Sequence, residues 1–143
     1  MITVQLVNLP EVIKWWDLSL PLLHKALKNR KAEHKYPISW LREECISGNA
    51  QLWLIWKDNK ITAAAMTRIQ FYPSMEKFLE VFALGGWKMP LWAAETYTAV
   101  EDFAHTNNCK AIVSHGRGGW LKLAEHMAGK DNVQLDHVVA ITI

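Results

Sequence analysis

Residues Lys77–Thr106 read KFLEVFALGGWKMPLWAAETYTAVEDFAHT, and their interpretation decides the fold. Lys77–Leu84 is an apolar run of strand length. Gly85-Gly86 closes it, Trp87–Met89 forms a short loop, and Pro90 suits the first turn of a helix, where a missing N–H costs least. Within Pro90–Thr106, Trp92, Thr96, Ala99, Val100 and Phe103 recur at three- and four-residue spacing, the mark of one helical face. A strand that passes through glycines onto a helix N-terminus directs backbone N–H groups at one spot, a geometry suited to a phosphate-bearing ligand.

Upstream, QLWLIWK (51–57) and Ile61–Phe71 are strands joined by Lys57-Asp58-Asn59-Lys60, whose Asp and Asn tolerate positive φ. A second turn at Tyr72-Pro73-Ser74 leads into Lys77–Leu84, so two successive hairpins make a three-stranded antiparallel meander. The run Ala63-Ala64-Ala65 leaves room for a bulky side chain, such as a helix tryptophan. Before the meander, Thr3–Val7 is a short strand. Pro10–Trp16 is a short helix ending near Asp17, because Pro21 would interrupt a longer one. A second helix carries Leu20, Leu23 and Leu27 on one side, and Trp40–Ser47 is helical, with Ser39 as cap and Gly48 just past its end.

Downstream, Asn107 and Asn108 can supply a left-handed helix end, and Lys110–Ser114 is a short buried strand. It leaves through His115-Gly116-Arg117-Gly118-Gly119 into a helix at Trp120–Ala128, and His137–Ile143 closes the chain as an apolar strand. The order is β-α-α-β-β-β-α-β-α-β, an α/β (α+β) arrangement expected over residues 1–143 as one domain.

Composition narrows the function classes. Half of the 143 residues are hydrophobic, 21% are charged and the net charge is +2, too small to argue for nucleic acid. No apolar run approaches the ~20 residues of a membrane span, and the first ten residues lack a signal peptide's basic region and apolar core. Cys45 and Cys109 stand far apart without metal spacing, so the reading is two buried free thiols, no metal and a cytoplasmic setting. Eight tryptophans point to core packing rather than a base-stacking platform: Trp53 and Trp56 lie on opposite faces of one strand, and the strands lack interleaved basic residues.

The element order over nearly the whole chain resembles the GNAT superfamily of N-acetyltransferases. Gln51-Leu52-Trp53, Ala64-Ala65-Met66-Thr67, Leu84-Gly85-Gly86 and Gly116-Arg117-Gly118-Gly119-Trp120 are similar to small phage- and prophage-encoded GNAT-like proteins, for which the setting would be host cytoplasm or virion. The resemblance implies acetyl-CoA as cofactor, held in the loop after the fourth strand by Leu84, Gly85, Gly86, Trp87 and Lys88, and an amine, on a small molecule or a protein, as acceptor. That loop in active members reads Gln/Arg-x-x-Gly-x-Gly/Ala. Here Gly85-Gly86-Trp87-Lys88-Met89-Pro90 keeps two glycines at the strand end and none after. Pro90 removes a donor, Trp87 is bulky where backbone should approach phosphate, and Lys88 offers a charge in partial replacement.

The resemblance also implies a strand glutamate as general base, a role that falls to Glu80, the only acid in its apolar run. The residues themselves leave two readings open: a sequestered carboxylate that binds its proton more tightly, or an alternate position facing solvent. The implied tyrosine acid is absent from the last helix, which carries Trp120 and His126; Tyr97, on the earlier helix, reads as packing. His115, at a strand end, titrates in the neutral range when unperturbed and is a second catalytic candidate beside a structural reading. Gly116, Arg117, Gly118 and Gly119 form an alternative anion site between strand and helix, with Arg117 as forked donor, or a tight turn that needs glycine. Lys25, Lys28, Arg30, Lys31 and Lys35 make either a solvated helix end or a polynucleotide patch. Two functions follow: transfer of an acetyl group from acetyl-CoA to an amine, or a non-catalytic GNAT-fold phage structural or binding protein with a degraded acyl-CoA site. A protein partner or homo-oligomer would fit the exposed apolar area near Trp87–Trp92.

Overall fold

The computed structural model describes residues 1–29, 31–114, 124–129, 132–135 and 139–143. Its elements are β1 (Ile2–Leu6), α1 (Val12–Asn29), α2 (Ile38–Ser47), β2 (Gln51–Lys57), β3 (Lys60–Phe71), β4 (Lys77–Gly86), α3 (Ala93–Thr106), β5 (Cys109–Ser114), β6 (Val133–Leu135) and β7 (Val139–Thr142). Residues 124–128 are also helical. The seven strands among the described residues join one sheet in the order β1-β2-β3-β4-β5-β7-β6. Every neighbouring pair is antiparallel except β4 and β5. The parallel pair follows from connectivity: α3 carries the chain back over the sheet, as a parallel crossover requires. This is the mixed, mostly antiparallel α+β architecture that the sequence pattern indicates.

The central strands are apolar on both faces because each face is covered. On one side Leu52, Leu54, Ala64, Met66 and Phe82 pack with Trp16, Leu23 and Leu27 of α1 and with Leu41 and Cys45 of α2. On the other, Trp53, Ala65 and Leu79 meet Val100 and Ala104 of α3, Ile112 of β5 and Ala124. Trp53 and Trp56 take opposite sides, and each meets an aromatic ring of a helix edge-on: Phe103 of α3 and Trp15 of α1, with centroids 5.5 and 5.4 Å apart. The small Ala63 accommodates Trp92, which packs beside it and Ile55.

β1, β3, β4 and β5 shift by one or two residues at their ends, β4 running on through Gly85-Gly86, and four other features differ from the sequence reading. α1 is one helix with Pro21 inside it, not two. Its buried positions Val12, Trp16, Ser19, Leu23 and Leu27 keep one stripe across the proline, while Asp17 and Pro21 are exposed. The Asp17 carbonyl left without an N–H therefore faces water, and burial of the opposite stripe outweighs the proline cost. α2 begins two residues earlier than expected, with Pro37 rather than Ser39 at its N-cap. A single 3-10 turn, Met89–Leu91, precedes α3. β6 was not foreseen, since three residues carry no measurable periodicity. The turn chemistry holds: Gly48, Asp58 and Asn108 all have positive φ.

Candidate functional site

Among the described residues β4 and β5 pair from Lys77↔Cys109 to Val81↔Ser114. β4 continues to Gly86, paired with β3 on its other side. Just past Val81 β4 carries a bulge. Met66 pairs with Ala83 and Thr67 with Val81, so Phe82 is an extra residue on the β4 side. Phe82 and Ala83 consequently both join the α1–α2 core, and Leu84 returns to the α3 face.

Beside Val81 and Leu84 lies an apolar cavity of ≈ 70 Å³ between the sheet, α3 and the 124–128 helix. Val81 and Leu84 of β4, Ser114 of β5, Trp92 at the N-cap of α3, and Thr96 and Val100 within α3 are among its walls. Thr67 also reaches it, but its hydroxyl is engaged: it accepts from Trp53 Nε1 and donates to Gln51 Oε1, both at 2.9 Å. Tyr97 lines the cavity while its hydroxyl donates to Glu101 Oε2 at 2.5 Å. Burial, reinforced by the Glu101 hydrogen bond and charge, raises the Tyr97 phenol above its ordinary value, so it keeps its proton. Thr96 Oγ1 is different. It is buried and finds no hydrogen-bond partner among the described residues.

The other face of β4 holds Glu80, which is 7% exposed. It stands one residue before the last β4–β5 pair. Arg68 Nε donates to its Oε1 at 2.5 Å, and Gln70 Nε2 approaches the same oxygen at 3.4 Å. The Arg68 guanidinium lies over the rings of Trp40 and Phe82, at 5.3 and 5.2 Å, which places the pair on the α1–α2 side. Glu80 thus does not face solvent. It is a sequestered carboxylate with a charge partner, on the opposite face from the cavity.

The strand-to-helix junction is more closely packed than its sequence suggests. A Cβ on Gly85 would lie 2.6 Å from the Leu22 carbonyl oxygen and 2.8 Å from Ala26 Cβ, both on α1. A Cβ on Gly86 would lie 2.3 Å from Ala63 Cβ. The two glycines let a helix and a neighbouring strand close onto β4. Trp87 N donates to the Thr62 carbonyl, and the exposed Trp87 ring carries Lys25 Nζ 4.2 Å from its centroid. The Trp87 carbonyl accepts from Trp92 Nε1 at 2.7 Å, fixing the indole over the cavity. Lys88 turns the chain with φ 53°, and the α3 ladder opens with Thr96 N donating to the Trp92 carbonyl. The amides of Ala93, Ala94 and Glu95 lie ahead of that first bond, as at any helix start.

No family model and no curated relative matches the sequence. Solved structures do match. An aminoglycoside acetyltransferase from an uncultured soil metagenomic sample superposes with a TM-score of 0.68 at 11% identity, over 95% of this chain and 93% of its own. A predicted acetyltransferase of Clostridium acetobutylicum, solved with acetyl-CoA, gives 0.67 at 12% identity over 95% and 92%. A GNAT family acetyltransferase of Staphylococcus aureus gives 0.56 at 19% identity over 82% and 87%. The chain has the GNAT fold.

Within that fold the structure brings Glu80, Leu84, Gly85 and Gly86 onto one strand, with Trp87 and Lys88 directly after it. His115 and the Gly116-Arg117-Gly118-Gly119 turn lie outside the described residues, as does Arg30. Among the described residues no group of three His, Cys, Asp or Glu side chains is placed to hold a metal ion, and no helix is long and apolar enough to cross a membrane. The sequence reading missed the cavity role of Thr96 and Ser114. Thr96 left one trace, a hydroxyl in the middle of the apolar stripe of α3.

Proposed function

We propose that the protein is an acyltransferase, most simply an N-acetyltransferase that moves the acetyl group of acetyl-CoA to an amine on a small molecule or a protein. The observation that carries this reading is the bulge at Phe82 in β4, just past its pairing with β5 at Val81/Ser114, with an apolar cavity beneath. Structural neighbours of the same fold include acetyltransferases solved with acetyl-CoA or coenzyme A. The donor set fits such a cosubstrate in part. The cavity, at ≈ 70 Å³, has room for only a few atoms of its apolar arm, and the α3 amides ahead of the ladder together with Lys88 would serve the phosphate end. Pro90, in the turn before α3, offers no N–H.

In this reading Leu84, Gly85, Gly86, Trp87 and Lys88 flank the cosubstrate along β4 and its exit. The acceptor amine approaches from the α1–α2 side, where Glu80 takes up its proton, directly or through water. Arg68 and Gln70 both contact Oε1, which orients the carboxylate. When bound, the thioester supplies an activated carbonyl, whose carbon forms the new C–N bond as the C–S bond breaks. The whole chain acts as one GNAT-like unit.

A second reading, from a different class, is a GNAT-fold binding protein without turnover. The packing of Gly85 against α1 and of Gly86 against Ala63 favours it, since close approach alone accounts for both glycines. Calorimetric titration with acetyl-CoA and CoA separates the two. Saturable binding at micromolar ligand, with a raised melting temperature, supports the acyltransferase; no binding at millimolar ligand leaves the binding protein. For the enzyme, Glu80→Gln should keep cosubstrate affinity and lose turnover, and unchanged turnover removes Glu80 as base.

A further inference from the structure

Arg68 and Glu80 stand directly opposite each other on β3 and β4, and the hydrogen bond between them is made by Arg68 Nε. Nε lies on one edge of the planar guanidinium. The edge formed by Nη1 and Nη2 faces another direction, and among the described residues it meets no acceptor. It is not sealed in the core either. No Arg68 nitrogen is among the buried atoms left without a partner, and the Arg68 side chain is 22% exposed against 9% for Glu80. The arginine is the open member of the pair.

The guanidinium is held in place without using that edge. It lies over the rings of Trp40 and Phe82, and Tyr36 braces both rings, with centroids 5.4 and 5.6 Å away. Stacking and the Nε bond together fix the fork, so little side-chain freedom is lost when a ligand binds it. Neutralising Glu80 does not by itself call for arginine, because a lysine would bring the same charge. What arginine adds is a planar pair of terminal donors, matched to the two oxygens of a carboxylate.

Resting on the acyltransferase reading, in which Glu80 takes the proton of the acceptor amine, we propose that the acceptor is an amino acid and that Arg68 selects it by binding its carboxylate through Nη1 and Nη2. Residues opposed across two strands have Cβ atoms about 5 Å apart, so an anion on the Arg68 fork lies within a few bonds of an amine at Glu80. The charges alternate: ammonium beside Glu80, carboxylate beside Arg68. An amine without the carboxylate brings its cation close to an uncompensated guanidinium edge, which selects against it.

The test measures initial rates with acetyl-CoA on the standard amino acids, their amides and simple alkylamines, beside a titration with CoA. For the amino acid used best, KM should lie roughly 10- to 100-fold below that of its amide, the range of a hydrogen bond to a charged group. Arg68→Lys, which keeps the charge but not the fork, should raise the KM of the amino acid and bring the acid-to-amide ratio close to one. An arginine that only held Glu80 in position would instead change kcat for acid and amide alike. Melting curves check that Arg68→Lys is folded, and the wild-type ratio tests the proposal without it. If CoA binds but acid and amide are used equally, or no amino acid is acetylated, the proposal is refuted and the acyltransferase reading stands. If neither CoA nor acetyl-CoA binds at millimolar concentration, both fall together.

Discussion

Replacing Gly85 with alanine separates a glycine kept for packing from one kept for a ligand. The backbone there is extended, so alanine is conformationally acceptable, and restricting the unfolded chain would by itself favour the variant by about 0.4–1 kcal/mol. The new methyl group would lie 2.6 Å from the Leu22 carbonyl oxygen and 2.8 Å from Ala26 Cβ. Neither is the tip of a flexible side chain: one is α1 backbone and the other is fixed to it. Relief requires α1 to move off β4 by nearly 1 Å, loosening Leu23 and Leu27, both fully buried. Overpacking of this kind costs about 1–3 kcal/mol, so the net loss should be about 1–2 kcal/mol, or roughly 3–6 °C in melting temperature for a chain of this size. Urea and thermal unfolding followed by tryptophan fluorescence measure it. Gly85→Ala combined with Ala26→Gly should recover part of the loss, since the 2.8 Å contact disappears while the 2.6 Å one stays. A Gly85→Ala protein that melts within a degree of wild type would refute the packing argument. If such a variant also lost CoA binding, the glycine would belong to the ligand.

Three further outcomes follow from other parts of the molecule. Thr67→Val should destabilise by about 1–3 kcal/mol in urea unfolding, because Trp53 Nε1 and Gln51 Oε1 lose the hydroxyl that joins them; a neutral effect would show that water replaces it. Burial pushes the Cys45 thiol from an ordinary value of 9.0 up to about 12, with Glu44 adding to the shift. The unfolded thiol ionises first, so this contribution to stability is complete below pH 9 and falls between pH 9 and 12, by up to about 1.4 kcal/mol per pH unit. Cys109 is raised in the same direction, by burial. Both thiols should resist a disulfide reagent in the folded protein at pH 8 and react fully in denaturant, and rapid reaction of Cys45 in the folded state would contradict its placement.

The meander was legible because its signals are local. Asp58-Asn59 and Tyr72–Ser74 announce turns, and the strands between them have the right lengths. The parallel crossover followed from one amphipathic helix between two apolar runs. Continuity of α1 was not legible, since a proline rule that holds on average gives way where the freed carbonyl of Asp17 faces water. Gly85 and Gly86 illustrate a deeper limit. Their adjacency to a helix start suggested a phosphate cradle, whereas their constraint is the approach of α1 and Ala63, more than twenty residues away along the chain. Glu80 could be singled out as the lone acid of its strand, yet its partner Arg68 belongs to the strand beside it and has no fixed sequence spacing. The cavity left no sequence mark, because it is defined by what α3, the 124–128 helix and four strands fail to fill.

The bulge at Phe82 also acts as a phase shift in β4. Leu79 and Val81 face α3, and strict alternation would carry Ala83 to that face and Leu84 away from it. The extra residue reverses that order, so Ala83 joins Phe82 in the α1–α2 core and Leu84 returns to the α3 face. One inserted residue decides which side of the sheet each later side chain of β4 serves.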